Sequence, residues 1–189
     1  MNARMMSFLF GLAVCATGLS HAAPTKTDTP AVTRDGLHDF DFWFGRWNGQ
    51  HHKLKHRLAN SNEWEDFTGT AVAQPLLGGR SNMDQNVFHS GTEGAGGVGF
   101  RLYNPQTHLW SIYWLGTTGG TVDSPMVGSF ADGVGTFYGD DTWEGKPVRV
   151  RFIWSKIDRT HCHWEQAYST DSGKTWETNW LMDFTRAEF

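Results

Sequence analysis

Apolar and polar positions alternate with period two through the last third of the chain. Val148, Val150, Phe152 and Trp154 fall in one phase while Arg149 and Arg151 fall in the other. Cys162, Trp164, Gln166 and Tyr168 alternate with His161, His163 and Glu165 in the same way. Trp176, Thr178, Trp180, Met182 and Phe184 alternate with Glu177, Asn179 and Asp183. Successive side chains of a strand point to opposite faces, so each run predicts a strand with one aromatic face and one charged face. Turn formers punctuate the rest at short intervals: Asn60-Ser61-Asn62, Gly78-Gly79, Asn104-Pro105, Gly119-Gly120, Asp132-Gly133, Gly145-Lys146-Pro147 and Asp171-Ser172-Gly173. The runs between them are rich in Val, Ile, Phe, Tyr, Trp and Thr, which is strand chemistry. The span from Arg46 to Arg186 accommodates about ten strands at roughly 14 residues per strand plus turn. The pattern predicts an all-β domain, a single antiparallel up-and-down barrel with Trp and Phe inside and polar groups outside. His51 to Asn60 fits a helix of two or three turns as well, because Leu54 and Leu58 are four apart, but the pair alternates equally well with polar neighbours at period two, which favours a strand.

The N-terminal segment reads differently. Arg4 followed by the apolar run Ser7 to Leu19 and by Ser20-His21-Ala22 predicts a signal peptide over residues 1–22, with export to the periplasm or beyond. The run is too short to span a bilayer, so no integral membrane protein is expected. Leu12-Ala13-Val14-Cys15 imitates a lipobox, with Val14 where a small residue is wanted. Residues 23–36 form a polar, Pro- and Thr-bearing lead-in, expected to be disordered, and residues 37–189 form the barrel domain. Removal of Cys15 leaves Cys162 alone, so the domain has to be held by its core rather than by an internal disulfide. The chain is 14% aromatic and 19% charged, with a formal charge of −4. That aromatic content argues against disorder, and the mild mixed charge argues against nucleic-acid binding.

Phe40-Asp41-Phe42-Trp43-Phe44-Gly45-Arg46-Trp47 opens the domain as an aromatic plug followed by Gly-x-Trp. This resembles the entry of lipocalin-type barrels, the calycins. The resemblance implies that Trp47 lies across the closed end, covered by a late arginine, for which Arg186 is placed. Further motifs join it: Asn62-Glu63-Trp64, Leu77-Gly78-Gly79, Tyr103-Asn104-Pro105-Gln106-Thr107, Leu109-Trp110-Ser111-Ile112-Tyr113-Trp114, Gly135-Thr136-Phe137-Tyr138, Arg151-Phe152-Ile153-Trp154 and Thr175-Trp176-Glu177-Thr178-Asn179-Trp180. Together they resemble a bacterial family of exported calycin-like proteins over residues 37–187. That resemblance implies a fold and no activity, and it supplies no catalytic residue.

Ser169 to Trp176 matches the S-x-D-x-G-x-T-W box of propeller hydrolases, but in one copy, so it predicts a hairpin turn and not glycoside hydrolysis. His161-x-His163-x-Glu165 places two imidazoles on one strand face at a spacing suited to zinc, with His51 or His52 needed as a third ligand. Haem is a related alternative through one of His51, His89, His108, His161 or His163, without the C-x-x-C-H of covalent attachment. No G-x-S-x-G or H-E-x-x-H motif occurs. Gly91 to Gly99 lacks the lysine and helix of a phosphate cradle and predicts a flexible hairpin loop at the barrel mouth.

The function expected is non-catalytic binding of a small apolar or aromatic molecule inside the barrel, without a required cofactor. The wall candidates are Trp110, Trp114, Phe152, Trp154, Trp164 and Trp180, with Gln166 and Tyr168 on the same faces and His51 as a polar handle. An equal alternative is that these rings only fill the core. A different arrangement, with the charged faces inward, makes an enzyme: Arg151 anchors an anion, Glu165 acts as base, and His163 and His51 line the cavity. A third class is an envelope interaction module using exposed aromatics. Which of Trp164 and Glu165 faces the interior separates the first two.

Overall fold

The computed structural model describes residues 35–117 and 119–188. The signal peptide expected over residues 1–22 and most of the lead-in expected over residues 23–36 lie outside the described residues. Ten strands follow one another in the chain: β1 (Gly45–Leu54), β2 (Trp64–Leu76), β3 (Ser81–His89), β4 (Gly96–Asn104), β5 (Leu109–Gly116), β6 (Met126–Ala131), β7 (Val134–Trp143), β8 (Lys146–Ser155), β9 (His161–Ser169) and β10 (Glu177–Arg186). Each pairs antiparallel with the next, and β10 returns to β1 with Trp47 opposite Arg186, so the sheet closes on itself. This is the up-and-down ten-stranded barrel that the alternation predicts. Closure removes the free strand edges that would otherwise recruit other chains. Among the described residues no helix is long and apolar enough to cross a membrane, which does not bear on strands.

One end of the barrel is sealed by the aromatic plug. A 3-10 turn at Asp41–Trp43 carries Phe40 and Trp43 inward, where they are buried together with Trp47. Trp43 and Trp47 stack at 5.2 Å, and the Trp47 indole donates to the Trp43 carbonyl at 2.7 Å. The Arg186 guanidinium lies 4.2 Å above the Trp47 ring, as the resemblance of the Gly-x-Trp entry implies. It donates to the carbonyls of Phe44, Phe42 and Arg159 at 2.6–2.7 Å. Gly45 has φ +117°, and a Cβ there would meet the Arg186 guanidinium at 2.8 Å, which is why the Gly-x-Trp motif begins with glycine. Asp35 and Gly36, the end of the lead-in, are tied to the same end: the Tyr103 hydroxyl donates to Asp35 at 2.7 Å, and the Trp110 indole donates to the Gly36 carbonyl at 2.9 Å.

Three local expectations need correction. The strand expected over His51 to Asn60 ends at Leu54, and the chain then turns across the mouth with positive φ at Leu58 and Asn60. Leu54 is core on the strand, whereas Leu58 packs against the core from the turn, so their spacing reports neither helix nor strand. The glycine segment is not all loop: Gly96 onward belongs to β4, where side-chain-free positions allow close packing. Alternation also fails in β10. Ala167 pairs with Thr178 but Gln166 pairs with Trp180, leaving Asn179 as the extra residue of a β-bulge. The bulge buries Asn179 and sends Trp176 to the outside, against Tyr138 at 6.0 Å and beneath Arg151 at 4.7 Å.

Candidate functional site

Above the plug, the inner faces of β3, β4, β5, β8, β9 and β10 leave a cavity of about 130 Å³. Its wall includes Trp114, Phe152, Trp154, Trp164, Gln166 and Trp180, all six among the wall candidates named from the sequence. Trp43, Phe88, Ile112, Met182 and Phe184 complete the apolar part. Rings meet mostly at an angle, such as Phe152 on Trp164 at 4.8 Å and Trp164 on Trp180 at 5.9 Å. Tilted and edge-on packing leaves gaps that flexible aliphatic chains would fill. A second cavity of about 200 Å³ adjoins it toward the mouth. The two share Ile112, Trp114, Asp123, Phe152, Gln166 and Trp180, and the outer one adds Arg57, Tyr168, Asp140 and Asp141. A dry cavity of about 150 Å³ is enough for benzene, so the inner space is of the size of a single small ring.

Trp164 is buried in the cavity wall, whereas Glu165 lies on the outer face with its carboxylate 3.6 Å from Arg151. The polar-cavity arrangement therefore does not form. Arg151, Glu165 and His163 are all outside, and only His51 points inward. His163 is held by Asp183 at 2.6 Å, and His161 is exposed beside Thr160, so the pair does not converge with a third ligand. Among the described residues no group of three or more His, Cys, Asp or Glu is arranged to hold a metal ion. Burial pushes the Cys162 thiol up to about 12, which keeps it protonated and inert. The Ser169–Trp176 segment is the expected hairpin, with Asp171 accepting from the amides of Lys174 and Thr175 and from the Thr175 hydroxyl.

Two wall candidates sit elsewhere in the interior. Trp110 packs at the sealed end, edge-on to Phe40 at 5.1 Å, and lines neither cavity. His51 is stacked on Phe67 at 4.6 Å and ringed by Phe88, Trp180 and Phe184, three of the cavity-wall residues. It is 3% exposed, and its Nδ1 has no partner. Burial, with smaller contributions from Lys53 and His89, lowers its pKa to about 4, so the imidazole is neutral. Its role is that of a polar ring within an aromatic stack.

The sequence reading missed the polar floor of the inner cavity. Asp84 on β3 accepts from the Trp43 indole at 2.6 Å, the Gly99 amide at 2.9 Å, Asn86 at 3.1 Å and Arg101 at 2.8 Å. Arg101 also donates to Asn82 at 3.1 Å and lies 4.9 Å from the Phe40 ring. Gly99 is required here, because a Cβ would collide with the Asp84 carboxylate. Four donors leave Asp84 no free lone-pair direction for abstracting a proton from a ligand, so it serves as a structural anchor. The signal was present: Arg101 is in phase with the inward Tyr103, and Asp84 with Phe88. Both charges contradict a rule that sends charge outward.

No protein-family model matches this chain. No curated protein matches it either. Among solved structures it is similar to a protein of unknown function from the DUF3598 family of Nostoc punctiforme, at 8% identity and a TM-score of 0.26, over 82% of this chain and 100% of that one. A likeness that loose carries no argument about this chain.

Proposed function

We propose that this protein is an exported, calycin-like barrel that binds a small apolar or aromatic molecule in its interior without transforming it. The observation that carries the reading is the aromatic-walled cavity of about 130 Å³ opening onto a second of about 200 Å³. Protein interiors are packed nearly as densely as organic crystals, so a void of this size inside a core of large rings is space that packing alone does not explain. The absence of chemistry follows from the same walls. Asp84 is saturated by donors and the Arg151, Glu165 and His163 side chains are outside. The periplasmic or extracellular location rests on the signal-peptide pattern of residues 1–22.

Calorimetric titration with indole, together with native mass spectrometry of protein purified from its own host, tests the reading. Saturable binding or a retained small molecule is the expected result. Ile112→Phe, which adds volume to the wall shared by the two cavities, should abolish that binding. Its expected stability change is about 1–3 kcal/mol. No binding up to the solubility of indole, with no retained mass, overturns the proposal.

A further inference from the structure

Three rings at the mouth surround a cation of the chain itself. The Arg57 guanidinium lies 5.0 Å from the Trp143 ring, 5.5 Å from Tyr168 and 5.7 Å from Trp180. Its polar partner is the Tyr168 hydroxyl at 3.2 Å. Arg57 arrives on the turn between β1 and β2, held by a hydrogen bond from the Leu58 amide to Glu177 at 2.8 Å. Lys53 adds a second cation, 4.8 Å from the Trp180 ring. Against these two charges, Asp123, Asp140 and Asp141 open on the same outer cavity. Among the described residues no ion pair joins any of them to Arg57. Aromatic faces attract cations electrostatically, and such rings with carboxylates at the rim are the chemistry that recognises organic ammonium groups.

We infer that the outer cavity is a subsite for an organic ammonium group, so that the molecule taken by the barrel is an amphipathic amine with its ring inward and its cation at the mouth. The inference rests on the ligand-binding reading above. Arg57 is then the occupant of the subsite when no ligand is present. Its side-chain contacts are a single hydroxyl and three ring faces, so it can swing out to water while the ligand's ammonium takes its place. With Arg57 withdrawn, the charged side chains lining the outer cavity are the three carboxylates, and Lys53 lies over Trp180. Burial, reinforced by Asp141, already raises the pKa of Asp123, as two carboxylates sharing a cavity require. An incoming cation relieves that repulsion.

The test compares three probes of one shape by calorimetry on the purified protein: 2-phenylethylamine, neutral 2-phenylethanol and anionic 3-phenylpropionate. The amine should bind on the order of tenfold tighter than the alcohol, and the acid most weakly. Arg57→Ala should raise the amine affinity by removing the competing cation, and the Asp123→Asn/Asp141→Asn double variant should lower the amine-to-alcohol ratio. Equal affinities for amine and alcohol, or tightest binding of the acid, overturn the inference and leave the binding proposal standing. Failure of all three probes to bind overturns the inference alone where indole still binds or a small molecule is retained, and both readings where neither is seen.

Discussion

Each end of this barrel carries an arginine stacked on tryptophan, and the two are held in opposite ways. Arg186 covers Trp47 and spends its donors on three carbonyls from the plug and the β8–β9 turn. Arg57 touches three rings and one hydroxyl. The sealed end is further bound by the Arg186 amide on Thr160 and the Ala187 amide on Arg46. β5 and β6 pair only at Trp110–Gly128, Ser111–Val127 and Ile112–Met126, on the sealed-end side, so the wall thins toward the mouth, where the outer cavity opens. Cation–π contact alone leaves an arginine free to move, whereas fixed backbone acceptors on several elements turn it into a clamp. On the proposed ligand-binding reading, one end is built for stability and the other for exchange.

The largest effects should come from the sealed end. Trp43→Ala removes a buried indole that stacks on Trp47 and donates to Asp84, and should cost about 3–5 kcal/mol in urea melts. Arg101→Met leaves the Asp84 carboxylate buried without its counter-charge, an expected loss of about 3–5 kcal/mol. Adding Asp84→Asn to Arg101→Met should recover part of that loss. A double variant as unstable as the sum of its parts would mean that the two charges do not act as a pair.

That buried pair also marks where the sequence stops being legible. Period-two alternation located Trp164, Gln166 and Tyr168 on the inner face because successive side chains of β9 point to opposite faces, even though His163 and Ala167 on the outer face are buried as well. The Trp47–Arg186 contact was legible only through the resemblance of Gly45-Arg46-Trp47 to the entry of lipocalin-type barrels, which implies a late arginine over that ring. The Asp84–Arg101 pair was not, since a charge reads as outward until its counter-charge on another strand is known. Trp176 was misplaced by one inserted residue, Asn179, because a bulge shifts phase without any glycine or proline to announce it. Arg57 was hidden because a turn carries no period at all.

Between the two ends, His51 should make the barrel sensitive to acid. Its folded pKa of about 4 lies below the ordinary value of 6.5, so below pH 6.5 the unfolded chain takes up a proton that the folded chain refuses. Stability from this residue is intact above pH 6.5 and falls as pH drops toward 4, by about 3 kcal/mol in all. Below that the folded state is protonated too and the loss levels off. Chemical melts at pH 7, 5.5 and 4.5 on wild type and His51→Leu check it. The variant should lose the wild-type slope across that window, and an unchanged slope would assign the acid sensitivity to other groups.

The smallest effect should separate the two arginines themselves. Arg186→Ala removes a charged donor from three carbonyls and uncovers Trp47. Hydrogen bonds to a charged group are worth about 1.5–3 kcal/mol each and are not additive, so a loss of about 2–4 kcal/mol is expected for the cluster. Arg57→Ala removes ring contacts at a half-exposed site, where cation–π attraction is worth about 0.5–1 kcal/mol. It also relieves repulsion with Lys53, whose pKa burial and Arg57 together lower. The two contributions oppose each other, so the net stability change at the mouth should be under about 1 kcal/mol. Paired urea melts of the two variants measure the difference directly. Equal losses would mean that Arg57 is a second clamp, and that the mouth is as fixed as the sealed end. A near-neutral Arg57→Ala leaves the mouth free to open at almost no cost in stability, which is what entry to an otherwise closed barrel requires.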